Sequence, residues 1–421
     1  MGFTLAEKLL ANHTTDGKAT AGDIVEANVN LLMVHEVLGS RILSVLDEMD
    51  FKKVWDPERI VVVNDHWAPA SDINSAEIHR RNRNFVREQG IKHFYDIDCG
   101  ISHQVLPEKG LIVPGELIIG SDSHSTTYGA FNAFSTGLAA TDSALILATG
   151  SCWFRVPESI RIEVNGNLED GVMSKDLILK IISDLGPDGA NYQSMEFHGD
   201  TIDTMMVDER MTMCNMSVEA GAKCAPMMIN PYVEKWMEIL APEKHWKPTL
   251  PDSDAEYCDS LTYDIKSDPL GPMVATPDNP TNGKAVREVS GVPIDQAFIG
   301  SCTNGRIGDL KIAANILKGK KVREGVRLII TPASKQTYMM ALERGFIKIF
   351  MDAGGIVTNS TCGACVGGHL GVLGAGEVCI SSTNRNFRGR MGHQDSRIYL
   401  ASPATVAASA LAGAITDPRS G

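Results

Sequence analysis

Short apolar runs that end in crowded polar loops constrain this chain more than any other feature. Residues 59–64 read RIVVVN and run on into DHWAP, residues 93–97 lead into DCGISHQ, and residues 117–120 read LIIG and run on into SDSHST. Apolar runs without alternation are strands buried on both faces, which belong to parallel sheets. Parallel strands need crossover connections, and the helix-period stretches 71–89, with Ser71 as its N-cap, and 128–149 supply them. In an open α/β sheet, ligands bind beyond the carboxyl ends of the strands. The polar residues Asp65, His66, His103, Asp122, Ser123 and His124 therefore fall where chemistry is expected.

The pattern resumes after Pro157. A strand-like SIRIEVNG and a helix over 174–185 open a second unit, which carries CNMSVEAGA at 214–222. The stretch 241–282 is rich in Pro, Asp and Ser and lacks periodicity, so it reads as a linker. A third unit follows, with strands over 296–300 and 326–331, helices over 306–317 and 334–344, and a glycine-rich stretch after Cys365. No internal repeat is visible in the sequence. The expectation is an α/β protein of three domains with mostly parallel sheets, at 1–156, 157–275 and 276–421.

Charge narrows the partners. With 39 basic and 52 acidic residues the net charge is −13, which argues against nucleic acid, whose recognition needs a basic face. The longest apolar-leaning stretch, 130–149, is interrupted by Asn132, Thr141 and Asp142 and reads as buried, so no membrane contact is expected. The first residues lack a basic stretch followed by an apolar core, as a secretory signal would have. Nine cysteines, an odd number, do not make a complete disulfide framework. Reduced thiols in a cytoplasmic enzyme are the expectation.

Three of those cysteines carry the argument. Cys302 stands in GSCTN directly after a predicted strand, and STCGAC places Cys362 and Cys365 some sixty residues later. Structural zinc takes four closely spaced ligands, and this region offers no obvious fourth; Cys379, in VCISS, reads as a buried apolar residue. Three thiolates suit an iron–sulfur cluster that leaves one iron without a protein sulfur. The C-x-x-C pair also fits zinc, a thioredoxin-like redox pair or a structural role, and spacing alone leaves these open.

Six motifs in order, DCGISHQ, GSDSHST, CNMSVEAGA, GSCTNGR, STCGACVGG and STNRNFRGRMG, make the chain resemble the aconitase family of iron–sulfur hydro-lyases over essentially its whole length. The resemblance implies aconitase-like domains packed around a central 4Fe-4S cluster held by Cys302, Cys362 and Cys365, with the fourth iron open to substrate or water. It implies reversible loss and readdition of water on a hydroxy di- or tricarboxylate. Single-chain members carry a further swivelling domain that this chain of 421 residues lacks, so it is more similar to the large subunit of split members. The expected partner is then a separate small subunit, in a heterodimer or heterotetramer.

The same resemblance distributes roles. His66 would donate the proton to the departing hydroxyl, oriented by Asp65. His103 and His124 match the two other active-site histidines, Glu219 the carboxylate that partners the hydroxyl-handling group, and Asp122, Ser123 and Asn215 the polar shell. Arg385 and Arg390 would collect substrate carboxylates, since guanidinium pairs with them bidentately, and Asn384 would sit beside the cluster. Arg388 and His79, the latter among Arg80, Arg81 and Arg83, read as solvated surface. His35-Glu36-Val37 is similar to a segment of the split enzymes but departs from it soon after, and receives no role. A non-catalytic, iron-responsive binding protein is the reading of another class, against which the acidic charge speaks.

Overall fold

A computed structural model describes residues 2–420. Its first sheet has five strands, all parallel, in the spatial order His93–Tyr95, Ile60–Val63, Leu31–His35, Leu117–Gly120 and Phe134–Gly137. Numbered along the chain that order is 3-2-1-4-5, a doubly wound sheet whose winding reverses between Leu31–His35 and Leu117–Gly120. The reading that began at Arg59 misses the central strand, LLMVH, every residue of which is buried.

Two further expectations for this unit change. The helix read over 128–149 divides into the end of a 3₁₀ segment, Ser123–Phe131, the strand Phe134–Gly137 and the helix Ala140–Thr149. Asn132, at φ 62°, makes the break, its side-chain amide donating to the Met227 and Thr249 carbonyls. The helix read from Ser71 is Ile73–Gln89, capped by Asp72, whose carboxylate accepts the Ser75 amide at 2.8 Å.

The second sheet is parallel, with Ser159–Asn165 between Asp259–Asp264 and Ser194–His198. The third has seven strands: Gly283–Ala285, Met273–Ala275, Arg397–Ala401, Val378–Ser381, Gln296–Ile299, Arg327–Ile330 and Ile356–Val357. The first two are antiparallel additions; the other five are parallel and again follow the order 3-2-1-4-5, reversing between Gln296–Ile299 and Val378–Ser381. Two doubly wound sheets of one topology thus lie in a chain without a visible sequence repeat. The stretch 241–282, read as a linker, supplies an edge strand to the second sheet and the strand Met273–Ala275 to the third. Its short strands, the first largely exposed, have no buried periodicity to display.

The three units share packing. Val61 and Val63 of the first sheet, Ile178 and Ile182 of the helix Ser174–Leu185, and Phe298 of the third sheet belong to one buried cluster. Gly100 shows how closely the first and third units approach. Its φ is 117°, and a Cβ there would lie 2.5 Å from Ser334 Cα. Among the described residues no helix is long and apolar enough to cross a membrane.

Candidate active site

The strand ends of the two doubly wound sheets meet at one small cavity of about 20 Å³, lined by Cys302, Cys362 and Cys365 together with His66, His103 and His124. Asp122, Asn384 and Arg390 complete the lining named from sequence. Asp65, Asn215 and Glu219 stand beside the lining, bonded to His66, to Asn384 and Cys302, and to His124 respectively, and Arg385 reaches Glu219. Ser123 and Arg390 make no side-chain hydrogen bond to the described residues.

Asp65 and His66 follow the strand Ile60–Val63. Asp65 Oδ1 lies 2.6 Å from His66 Nδ1, and its Oδ2 accepts the Ser102 amide at 2.7 Å. Nε2 is then the His66 nitrogen left for the cavity, beside Cys362. Burial lowers the His66 pKa, but the charges and hydrogen bonds of Cys362 and Asp65 outweigh it and hold the imidazole well above the ordinary histidine value.

The support for this pair comes from the unassigned His35-Glu36. The buried Glu36 carboxylate accepts three consecutive amides, from Asp65 at 3.0 Å, His66 at 2.5 Å and Trp67 at 2.9 Å. Burial works against its charge, yet the neighbouring imidazoles of His66 and His79 hold the carboxyl well below its usual value. The His35 ring stacks on His66 with centroids 4.6 Å apart. His35 Nδ1 accepts the Val37 amide and Nε2 donates to the Ser121 carbonyl at 2.9 Å. His35, Glu36, Asp65 and His66 offer ligand-type atoms within 4.8 Å of one another, but those atoms are engaged in these bonds, so the group is a brace for His66. A run of buried apolar residues ending in His-Glu carries the same signal that located the other loops.

His79 corrects the sequence reading. It is 2% exposed, with Nε2 3.8 Å from Glu36 Oε1, and stands behind that carboxylate. Arg80 is exposed and Arg81 and Arg83 are half-buried, paired with Asp47 and Asp96; helical periodicity turns His79 inward with Ser75, Asn82 and Val86.

Two further histidine–carboxylate pairs follow. His103 Nε2 lies 2.7 Å from Asp122 Oδ1, and its Nδ1 accepts the Tyr128 hydroxyl at 3.0 Å. Burial pushes the Tyr128 phenol well up, so it keeps its proton and serves as donor. His124 Nε2 lies 2.8 Å from Glu219 Oε1, which Arg385 Nε also reaches at 2.8 Å. Burial and the Arg385 charge lower the His124 pKa. Burial alone would raise Glu219, but His124 and Arg385 outweigh it and keep the carboxyl below its usual value.

Cys302 is the second residue of a single helical turn, Ser301–Asn304, after the strand Gln296–Ile299. Ser301 holds φ 79°, a strained left-handed conformation for a side chain with a Cβ. Asn215 and Asn384 donate side-chain amides to Cys302 Sγ at 3.3 and 3.4 Å. The Cys362 loop is bolted to the His66 loop: the Cys362 amide donates to the Asp65 carbonyl at 2.8 Å, as does Thr361 Oγ1. Arg390 makes no ion pair among the described residues, and its buried Nε has no acceptor. A buried guanidinium donor left open in a cavity wall is suited to an anion.

The donor set fits a cluster better than a single ion. All nine cysteines are free. One zinc would hold its sulfurs about 3.8 Å apart, given metal–sulfur bonds of about 2.3 Å, whereas these three sulfurs do not form a group within 4.8 Å. Burial pushes the Cys302 thiol up to about 11 and the Cys362 thiol well above its ordinary value, so binding would have to displace protons. Cys379 is fully buried in the strand Val378–Ser381, as expected, and Arg388 is exposed.

Three thiols and three histidine–carboxylate pairs thus come together where two doubly wound sheets meet. The chain belongs to the aconitase family: the family profile described as "Aconitase family (aconitate hydratase)" matches residues 7–290 and 282–413. It is 49% identical over 421 residues to the 3-isopropylmalate dehydratase large subunit 1 of Methanopyrus kandleri, covering 100% of this chain and 99% of that one. It is 48% identical over 425 residues to the 3-isopropylmalate dehydratase large subunit of Aquifex aeolicus, covering 99% of this chain and 97% of that one. To the probable methanogen homoaconitase large subunit of Methanothermobacter thermautotrophicus it is 48% identical over 421 residues, with 99% and 98% covered.

Proposed function

We propose that this chain is the cluster-binding large subunit of a 3-isopropylmalate dehydratase, interconverting 2- and 3-isopropylmalate by loss and readdition of water. The observation that carries the reading is the convergence of Cys302, Cys362 and Cys365 with His66 and the unpartnered Arg390 on one cavity. The three cysteines would hold a 4Fe-4S cluster, which when bound supplies a Lewis acid at an iron that no protein sulfur ligates.

The protein's own groups divide the remaining work. His66, kept charged by Asp65 and braced by Glu36, holds the proton that the leaving hydroxyl needs. Arg390 and Arg385 bind the substrate carboxylates, and Asn384 orients them beside Cys302. His103 with Asp122, and neutral His124 with Glu219, fix donors and acceptors around the substrate, with Ser123 between Asp122 and His124 in the chain. The group that removes the carbon-bound proton is assigned to a small-subunit partner, in keeping with the "large subunit" names of the relatives. Free cysteines suit a reducing cytoplasm.

Anaerobic reconstitution with iron and sulfide, followed by assay with and without the small subunit, tests the reading. Isopropylmalate turnover is expected only with both chains and the cluster; robust turnover by this chain alone would overturn it. A homoaconitase is the second reading, favoured by the homoaconitase-named relative, and parallel assays with homocitrate, dimethylmalate and citrate separate the two.

A further inference from the structure

Lys175 lies in the helix Ser174–Leu185, in the second unit, and was not among the residues singled out by motif. Its side chain is fully buried, and its Nζ donates to the carbonyls of Ser382 at 3.1 Å and Thr383 at 2.6 Å. Those carbonyls immediately precede Asn384, whose amide reaches Cys302 Sγ, and Arg385, which reaches Glu219. No carboxylate among the described residues lies within ion-pair distance of it. Asp176, next in the chain, spends its oxygens on the Met173 and Met273 amides at 2.8 Å. Asp309 is occupied by Asn304 at 3.0 Å and by the Arg306 amide at 3.0 Å.

A buried ammonium without a paired anion is costly, and two backbone carbonyls compensate it only partly. Burial lowers its pKa to about 7, against the charge of Asp309 first and then the sulfurs of Cys365 and Cys302, which favour the charged form. Three thiolate ligands in the neighbouring cavity would supply the missing negative field. The same helix is anchored at both ends of its first turn, by the Asp176 capping bond and by packing of Leu177 and Ile178 in the shared core. The ammonium is therefore held at a fixed place against the Ser382–Thr383 backbone, which leads into Asn384 beside Cys302.

We propose that Lys175 is a positioning residue with two tasks: it clamps the Ser382–Thr383 backbone so that Asn384 and Arg385 face the site, and it places a positive charge near Cys302 and Cys365 that tunes the cluster bound there. The second task rests on the cluster reading above; the first does not. A positive charge near a cluster raises its reduction potential, because the reduced form carries the extra negative charge.

Three variants of the full chain separate the tasks. Lys175→Met removes clamp and charge, Lys175→Gln keeps an N–H donor without the charge, and Lys175→Arg keeps both. In the iron-free protein, the rate of alkylation of Cys302 and Cys365, mapped by mass spectrometry, reads the clamp. It is expected to rise several-fold in Lys175→Met and to stay near wild type in Lys175→Arg. In reconstituted protein, the midpoint potential followed by electron paramagnetic resonance is expected to fall in Lys175→Met and Lys175→Gln alike, and to hold in Lys175→Arg. Unchanged alkylation in Lys175→Met overturns the clamp, and an unchanged potential in Lys175→Gln, which keeps a donor and tolerates folding better, overturns the charge. Wild-type protein that takes up no iron sinks the cluster reading and with it the charge task, while the alkylation rates still decide the clamp.

Discussion

At the scale of single residues, the site is a set of side chains each fixed by a second group. Ser123 and Arg390 are exceptions, and Arg390 has an open buried donor. Arg390→Lys keeps the charge but loses the planar fork, and one charge-assisted bond is worth roughly 1.5–3 kcal/mol, so KM is expected to rise about tenfold or more with a smaller change in kcat, measured by steady-state kinetics on the two-subunit enzyme. Glu36→Ala would strand three amides of residues 65–67. The expected cost is about 2–4 kcal/mol of stability together with a loss in kcat, and a variant with wild-type denaturation and turnover would refute the brace. His198 tests pH away from the cavity. Burial and the Arg161 charge lower its pKa to about 4, so between about pH 6.5 and 4 the unfolded chain takes up a proton that the folded chain refuses. Stability is full above that window and falls as pH drops through it, by about 2–3 kcal/mol at pH 4.5. Urea unfolding at pH 7 and 4.5 should show this loss in wild type and a smaller one in His198→Gln. Residue identities with motif context were legible from sequence; His79 was not, because its arginine neighbours mask a helix face whose direction only packing sets.

At the scale of elements, the chain's loops could be located before its sheet order. Residues 59–64 and 117–120 declare themselves because an apolar run meets a polar loop, and LLMVHE does the same at 31–36. It goes unread when the pattern is started too late, and with it go His35 and Glu36. The division of 128–149 is harder: a strand of four residues, FSTG, between two helical segments has no alternation long enough to register. Gly100 marks where elements of two units meet. Gly100→Ala would set a Cβ 2.5 Å from Ser334 Cα at φ 117°, and strain of that kind costs about 1–3 kcal/mol before any clash is relieved. A lowered Tm is expected, with activity lost faster than stability because the displaced backbone leads directly into Ser102 and His103; differential scanning calorimetry beside kinetics checks it, and an unshifted Tm would contradict the close approach.

At the scale of the whole molecule, two doubly wound sheets of the same strand order turn their switch points toward each other, one bringing histidine–carboxylate pairs and the other thiols. Cys362 belongs to both arrangements, through its sulfur and through the bond from its amide to Asp65. Cys362→Ser is expected to abolish stable iron uptake while leaving the folded chain intact, read by iron and sulfide analysis beside circular dichroism; full iron retention would reject Cys362 as a ligand. By itself the sequence determined the parallel α/β class, the family and the cysteines, because apolar runs, loop chemistry and motif spacing are local properties of the chain. The tertiary structure alone decided that the stretch 241–282 is woven into two sheets, that Glu36 and His79 stand behind His66, and that Lys175 stands behind residues two hundred positions away. Those contacts depend on crossovers and on the direction each buried face takes, and no local pattern in the chain encodes which distant surface a buried side chain will meet.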